Sequence, residues 1–308
     1  MDAPAPFIVG VPRSGTTLLR LMLDAHPDLA IPPETHFLPR LIKMSQERDA
    51  GAADILEVIT NHPRWPDFGL DPQALRARIE RIEPFDVGDA VRAFYRLYAE
   101  RQGKPRWGDK SPNYVMRMRR INRVLPEARF IHLIRDGRDV VLSLTERTWG
   151  PGEVAEAAER WAQDIRKARR QLRRPLNPIW WKRIPKCIEV RYEDLVTDPE
   201  PHLRRVCEFI ELPWDDDMLA FHERAGERMR EVIRDFKSRR GHQFTAEERH
   251  VQHELVSQPP TTDRVGRWRT EMAPADRATF EERAGDLLAE LGYPSESDAP
   301  GAERVGAS

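Results

Sequence analysis

The first regular pattern in the chain is a continuous apolar run followed by helical periodicity. Phe7 to Val11 is apolar and rich in β-branched residues, which is typical of a strand buried on both faces of a parallel sheet. After a short Pro-Arg-Ser-Gly segment, apolar residues recur at helical spacing: Leu18, Leu19, Met22 and Leu23. The pattern therefore predicts a strand, a loop and a helix.

Two further strand candidates follow at long intervals along the chain. Phe130 to Ile134 is apolar and precedes an Arg-Asp-Gly turn and a second helix. Cys187 to Tyr192 is the third candidate, and a helix is expected from about Pro201 to Leu212. Strands that alternate with helices predict an α/β fold with a P-loop-like, doubly wound parallel sheet.

Additional helical segments interrupt this alternation, and we expect them to form a cap over the sheet. They are predicted at about 37–48, 52–62, 72–82, 88–102 and 160–174. We predict one domain over residues 1–294, with cap insertions at about 37–104 and 150–185. The tail, 295–308, is rich in Ser, Ala, Gly, Pro and Glu and is expected to be disordered.

Composition and charge restrict the classes of function. The chain has 50 Lys and Arg residues against 51 Asp and Glu residues, so no overall field would collect nucleic acid. No apolar run approaches the roughly 18 residues that span a bilayer, and the first residues lack the basic segment of a signal peptide. We expect no nucleic-acid partner, no membrane span and a cytoplasmic location, and we leave a homodimer open.

The loop after the first strand has the glycine spacing of a P-loop. Four residues separate Gly10 from Gly15, and the N–H groups of residues 13–17 are expected to surround an anion at the start of the helix. Thr16 replaces the usual lysine, which in a P-loop reaches the β- and γ-phosphates. This replacement argues against a nucleoside triphosphate with Mg²⁺ and favours a nucleotide with one activated 5′ group. We expect no metal.

Two motifs resemble those of sulfotransferases that use 3′-phosphoadenosine-5′-phosphosulfate (PAPS). Val11 to Leu19 resembles the loop for the 5′-phosphosulfate, and Ile134 to Ser143 resembles the motif for the 3′-phosphate. Five other segments are similar to tyrosylprotein sulfotransferases and their bacterial relatives: Leu23 to Pro27, Pro33 to His36, Trp107 to Pro112, Arg191 to Leu195 and Gly266 to Trp268. The resemblance extends over about residues 6–270.

The resemblance implies PAPS as the donor and a binding role for nine residues. Those expected at the phosphosulfate are Arg13, Ser14, Gly15, Thr16 and Thr17. Those expected at the 3′-phosphate are Arg135 and Ser143, with Tyr192 and Arg267 as further nucleotide contacts.

Three residues are expected to carry the chemistry. Glu34 matches the catalytic glutamate of tyrosylprotein sulfotransferases, and a partly dry cleft is expected to raise its pKa toward the working pH of a general base. His36 is the rival base. Lys110, together with Arg13, is expected to stabilise the charge that develops on the leaving oxygen. His132, within a strand pattern, is expected to be a core histidine.

We therefore predict a sulfotransferase that acts on a hydroxyl by in-line attack. The alternatives are a P-loop-type kinase of a nucleotide or small molecule, and an inactive nucleotide-binding module. A small-molecule acceptor is preferred to a peptide tyrosine, because no secretory signal is apparent. The cap, the Arg-rich segment 216–250 and the pair Trp180-Trp181 are candidates to line the acceptor site.

Overall fold

The computed structural model describes residues 3–46, 50–145, 153–173, 186–232, 235–237, 243–246 and 258–295. Trp180 and Trp181, proposed above for the acceptor site, lie outside the described residues. The predicted tail lies outside them from residue 296 onward, and so does much of the Arg-rich segment beyond residue 232.

A parallel four-stranded sheet forms the centre of the fold, in the order β4-β1-β5-β6. The strands are β1 (Ala5–Gly10), β2 (Leu29–Ala30), β3 (Arg106–Trp107), β4 (Asp109–Lys110), β5 (Ala128–Ile134), β6 (Cys187–Arg191), β7 (Phe236–Lys237) and β8 (Gln243–Phe244). Two short pairs lie apart from this sheet: β2 with β3, parallel, and β7 with β8, antiparallel.

The helices occupy most of the remaining described chain. They are α1 (Thr16–Ala25), α2 (Leu38–Met44), α3 (Ala52–Thr60), α4 (Trp65–Phe68), α5 (Pro72–Ile79), α6 (Val87–Arg101), α7 (Met118–Val124), α8 (Gly137–Thr145), α9 (Val154–Arg173), α10 (Tyr192–Thr197), α11 (Pro199–Ile210), α12 (His222–Arg230), α13 (Trp268–Glu271) and α14 (Pro274–Glu290). Short 3₁₀ segments span Pro112–Arg117 and Asp216–Met218.

The three predicted strands are present as β1, β5 and β6, with small differences at their ends. β1 begins at Ala5 and therefore includes Pro6, which has no N–H to donate. The strand tolerates this proline because the pairing of β1 with β4 starts only at Phe7, so no hydrogen bond to β4 is lost. β4 is not among the predicted strands. In the structure Lys110 pairs with Ile8 of β1.

Helices cover both faces of the sheet, as the doubly wound prediction requires. Phe7 and Phe130 face the helices between β1 and β5, and their rings lie 5.7 Å apart in one buried cluster with Phe37. Ile8 and Ile131 face the opposite way, toward α1, α10, α11 and α12. Each fully buried apolar side chain contributes about 1.5–3 kcal/mol, so these two layers supply much of the stability.

The predicted helical insertions are helices, and they pack directly on one face of the sheet. The segments expected at about 37–48, 52–62, 72–82 and 88–102 are α2, α3, α5 and α6. The boundaries of the domain and of the cap stay predictions. No helix in the part of the chain that the structure describes is both long enough and apolar enough to cross a membrane.

Candidate active site

The proposed site residues gather at the carboxyl ends of the four parallel strands. The phosphate loop follows β1, Lys110 ends β4, Arg135 follows β5 and Tyr192 follows β6. Open α/β sheets bind ligands at this edge because successive loops meet there. The topology therefore brings together residues that are up to about 180 positions apart in sequence.

The loop between β1 and α1 is shaped by two residues in the left-handed region. Arg13 has φ 73° and Gly15 has φ 90°. A Cβ on Gly15 would lie 2.4 Å from the ring of Tyr192, so only glycine fits there. The N-cap residue of α1 is Gly15, which makes no side-chain cap, so the first N–H groups of the helix are left for an anion.

Lys110 brings an ammonium group to this loop from the neighbouring strand. Its Nζ lies 3.3 Å from Thr17 Oγ1 and 2.6 Å from Glu34 Oε1. The side chain is buried, and burial lowers the pKa of Lys110, although the Glu34 carboxylate opposes that shift. The ammonium that the loop lacks at Thr16 is thus supplied by β4.

Glu34 lies between two cationic or hydrogen-bonding partners. Its Oε1 accepts from Lys110, and its Oε2 lies 2.7 Å from Nε2 of His36. Burial alone would raise the pKa of Glu34, but the Lys110 ammonium and the His36 hydrogen bond outweigh it and hold the pKa well below its ordinary value. The expectation of a raised Glu34 pKa is therefore wrong for this arrangement, in which Lys110 rests on the carboxylate.

A buried polar cluster that sequence reasoning missed lies directly beneath this pair. Asp109 Oδ2 accepts hydrogen bonds from Thr35 Oγ1 at 2.9 Å and from Tyr95 OH at 2.8 Å. Tyr114 OH lies 2.8 Å from the same Thr35 hydroxyl. Burial raises the pKa of Asp109 to about 6, although these donors oppose the shift. The cluster joins the loop that carries Glu34 to the strand that carries Lys110.

A second corner of the site forms around Arg135. Its Nη1 donates to the carbonyl of Arg13 at 3.1 Å, and its guanidinium lies 4.6 Å from the ring centre of Tyr192. Arg13 Nε donates to Ser143 Oγ at 3.1 Å. Arg13, Arg135, Ser143 and Tyr192 are thus brought together as expected. Because Arg13 contacts Ser143 of the proposed 3′-phosphate motif, its assignment to the phosphosulfate stays a prediction.

The late Gly-Arg-Trp segment reaches the same corner through its backbone. Asp139, at the start of α8, accepts from the N–H groups of Gly266 at 2.7 Å and Trp268 at 2.9 Å. The carbonyl of Arg264 accepts from Arg135 Nη2. The side chain of Arg267, which precedes α13, pairs with Glu271 of that helix, at 2.8 Å from Nε to Oε1. The segment is thus placed as expected, and a nucleotide contact by the Arg267 side chain stays a prediction.

His132 lies apart from these two corners. It is fully buried within β5, and its Nδ1 lies 3.3 Å from Glu189 Oε1. The prediction of a core histidine is confirmed.

The fold and the site define a class: an α/β protein with a P-loop-like turn and several cationic side chains at the carboxyl edge of its parallel sheet. A model of the sulfotransferase family matches residues 4–216, more than two thirds of the chain. The chain belongs to the sulfotransferase family and is a transferase. Membership in this family argues against the P-loop-type kinase.

Relatives with assigned functions are protein-tyrosine sulfotransferases. Protein-tyrosine sulfotransferase 1 of Danio rerio is 30% identical over 232 residues, which cover 73% of this chain and 58% of that protein. A putative protein-tyrosine sulfotransferase of Caenorhabditis briggsae is 31% identical over 227 residues, covering 71% of this chain and 70% of that protein. The chain thus spans little more than half the length of the zebrafish relative.

Solved structures with the same architecture are bacterial sulfotransferase domains. The sulfotransferase domain from the Synechococcus PCC 7002 olefin synthase has a TM-score of 0.60 and 25% identity, covering 96% of this chain and 97% of that one. The domain from the curacin biosynthetic pathway also has a TM-score of 0.60, at 21% identity and 96% and 99% coverage. The predicted fold class is confirmed.

Two expectations of the sequence analysis are overturned by the relatives. The preference for a small-molecule acceptor over a peptide tyrosine is wrong, because the relatives named above act on protein tyrosine. The cytoplasmic location is also contradicted, because protein-tyrosine sulfotransferases are Golgi enzymes. Both expectations depended on the absence of a recognisable signal, which is weaker than homology.

Proposed function

We propose that this sulfotransferase takes its sulfuryl group from PAPS and transfers it to a tyrosine hydroxyl of a peptide or protein, with Glu34 as the general base. The contact that carries the proposal is made by the Lys110 ammonium, which lies 2.6 Å from Glu34 Oε1 and 3.3 Å from Thr17 Oγ1. One side chain thereby joins the proposed base to the loop that would hold the phosphosulfate.

The two corners of the site suit the two anionic ends of PAPS. The uncapped start of α1 and the turn at Gly15 offer N–H groups for the 5′-phosphosulfate. At the other corner, Arg135 Nε is buried and has no hydrogen-bond partner among the described residues. A buried donor without a partner is costly. The 3′-phosphate would supply the missing acceptor for Arg135 Nε, and Ser143 would bind the same phosphate.

Glu34 would take the acceptor proton as the reaction proceeds. The tyrosine oxygen attacks sulfur, the new S–O bond forms, and the bridging S–O bond to the nucleotide breaks. Glu34 Oε1 is engaged by Lys110 until that ammonium turns toward the leaving oxygen, where negative charge grows. The turn would remove the main attraction that lowers the pKa of Glu34, so the carboxylate would become a stronger base when it is needed.

The assignment of a tyrosine acceptor is supported by the relatives and by the position of Glu34. The names of the zebrafish and nematode relatives specify protein tyrosine. Glu34 is partly exposed, with 23% of its side chain accessible, while Lys110 behind it is buried. An acceptor hydroxyl can therefore approach the carboxylate from solvent.

A transfer assay with matched peptides tests the proposal. The purified chain would be incubated with PAPS and a tyrosine peptide, and mass spectrometry would detect the gain of one sulfuryl group. The same peptide with Phe in place of Tyr is the control and should gain nothing. Transfer to neither peptide, with transfer to a small phenol instead, would contradict the acceptor. A reaction supported by ATP and Mg²⁺ but not by PAPS would contradict the donor.

A further inference from the structure

His36 lies in a strained three-residue turn beside Glu34. The N–H of Phe37 donates to the carbonyl of Thr35 at 2.6 Å, which closes the turn, and His36 at its centre has φ 52°. A residue with a Cβ adopts this region at a cost, and a turn closed between residues i and i+2 with positive φ is rare. Strain of this kind persists only where the surroundings impose it.

The two neighbours of His36 impose the turn because both are anchored in the interior. Thr35 is fully buried and its hydroxyl contacts Asp109 and Tyr114. Phe37 is fully buried and its ring lies edge-on to Phe94, with centroids 5.0 Å apart. With both neighbours fixed, the backbone at His36 directs its side chain back toward Glu34.

The two oxygens of Glu34 have different partners, and the partners differ in freedom. Lys110 holds Oε1. In the proposed reaction its ammonium turns to the leaving oxygen, because negative charge develops there. His36 holds Oε2 at 2.7 Å from Nε2, and its ring is part of a turn whose ends are fixed. His36 is therefore the partner that can stay with the carboxylate after Lys110 leaves.

We propose that His36 is a positioning residue that donates from Nε2 to Glu34 Oε2 and keeps the carboxylate aimed at the acceptor when Lys110 releases Oε1. The inference rests on the proposed function, in which Glu34 is the base. It bears on the question that the sequence left open, whether Glu34 or His36 is the base: in this proposal His36 orients the base and does not accept the acceptor proton.

The direction of the Glu34 pKa supports this assignment. The groups that surround the carboxylate are Lys110 from β4, His36 from its own loop and Arg64 just before α4, and each favours the ionised form. Removing the His36 hydrogen bond should therefore move the Glu34 titration to higher pH. A replacement of His36 that still donates to Oε2 should shift the Glu34 titration by a smaller amount.

Two variants with the same backbone strain distinguish the roles. His, Gln and Ala all carry a Cβ, so each bears the cost of φ 52°, whereas only Gln preserves an N–H donor near the position of Nε2. His36→Ala should lower kcat by about 10-fold to 100-fold through misplacement of Glu34, with little change in KM for PAPS. His36→Gln should stay within about threefold of the unaltered protein, because the amide restores the hydrogen bond. If His36→Gln is as slow as His36→Ala, the positioning role is wrong, since the ring must then do more than donate.

A second measurement does not depend on turnover. The ¹³C signal of the Glu34 carboxyl would be titrated by NMR in the protein without donor. The midpoint should rise in His36→Ala and rise less in His36→Gln; an unchanged midpoint in His36→Ala would overturn the inference. Failure of the unaltered protein to transfer sulfuryl would contradict the proposed function alone, because the titration still decides whether His36 holds Glu34.

Discussion

The two corners of the site hold their cations in different ways. At the phosphosulfate corner, Lys110 pairs with a side chain, Glu34, so a change of partner requires only rotation of one side chain. At the other corner, Arg135 is tied to the carbonyls of Arg13 and Arg264 and lies against the Tyr192 ring. The first corner is suited to interactions that change during reaction, and the second to binding that stays constant. Variants should therefore affect kcat at one corner and affinity at the other.

The largest effect is expected at the corner formed by Lys110 and Glu34, whose pairing can change during the reaction. Glu34→Gln preserves the shape of the side chain and removes its basicity, so kcat should fall by about 10²-fold to 10⁴-fold while binding of adenosine 3′,5′-bisphosphate changes little. Transfer kinetics and calorimetry measure the two quantities. Glu57→Gln, on the exposed face of α3, is the matched control and should change neither. A large loss of nucleotide affinity in Glu34→Gln would show that the separation between the corners is false.

The next effect concerns stability and tests the buried cluster beneath Lys110. The pKa of Asp109 is about 6 in the fold, above its ordinary value of 3.8, so the folded state binds the proton more tightly than the unfolded state. The Asp109 contribution therefore destabilises the fold as pH rises from about 4 through 6, by up to about 3 kcal/mol. Asp109→Asn removes this ionisation. The free energy of unfolding of Asp109→Asn, minus that of the unaltered protein, should increase between pH 4 and pH 7 when both are measured by denaturant titration. A difference that does not change with pH would contradict the raised pKa of Asp109.

At the corner formed by Arg135, a substitution should change the affinity for the nucleotide. A charge-assisted contact contributes about 1.5–3 kcal/mol, so Arg135→Ala should weaken binding of adenosine 3′,5′-bisphosphate by roughly 10-fold to 150-fold. Adenosine 5′-phosphosulfate lacks the 3′-phosphate and should bind nearly as before. Arg160→Ala, on the exposed face of α9, is the control. Equal weakening of both ligands would mean that Arg135 supports the loop and not the 3′-phosphate.

The smallest effect is expected from chelation. The loop carries Thr16 where a metal-dependent P-loop has lysine, and Lys110 supplies the cation from β4. Turnover with EDTA should therefore stay near the untreated rate. A loss greater than about tenfold, equivalent to about 1.4 kcal/mol, would contradict metal independence.

The sequence predicts the phosphate loop well because its signals are local. A buried strand, a glycine-spaced turn and a periodic helix follow one another between residues 7 and 25, and each constrains the next. β4 was missed because two residues carry no periodicity, and its register with β1 depends on a contact about 100 positions away. The low pKa of Glu34 was missed for the same reason, since it depends on Lys110, which β4 positions.

The inward direction of Asp109 could have been found from alternation. In an extended segment, alternate residues face opposite ways, so Asp109 is turned away from Lys110 within β4. The motif residues that carry chemistry are therefore interleaved with residues that face the interior. What alternation cannot supply is the partner, because Tyr95 comes from α6 and meets Asp109 only through the packing of that helix on the sheet.

The contact between Asp139 and the Gly266 segment determines how this chain can be divided. The family match ends at residue 216, yet the backbone N–H groups of Gly266 and Trp268 and the carbonyl of Arg264 are bound to residues at the start of α8 and the end of β5. A fragment cut at the end of the matched region would keep the loop after β1 and lose the part that closes over Arg135. We therefore predict that a portable sulfotransferase module taken from this chain needs residues to about 290, where α14 completes the packing on α9.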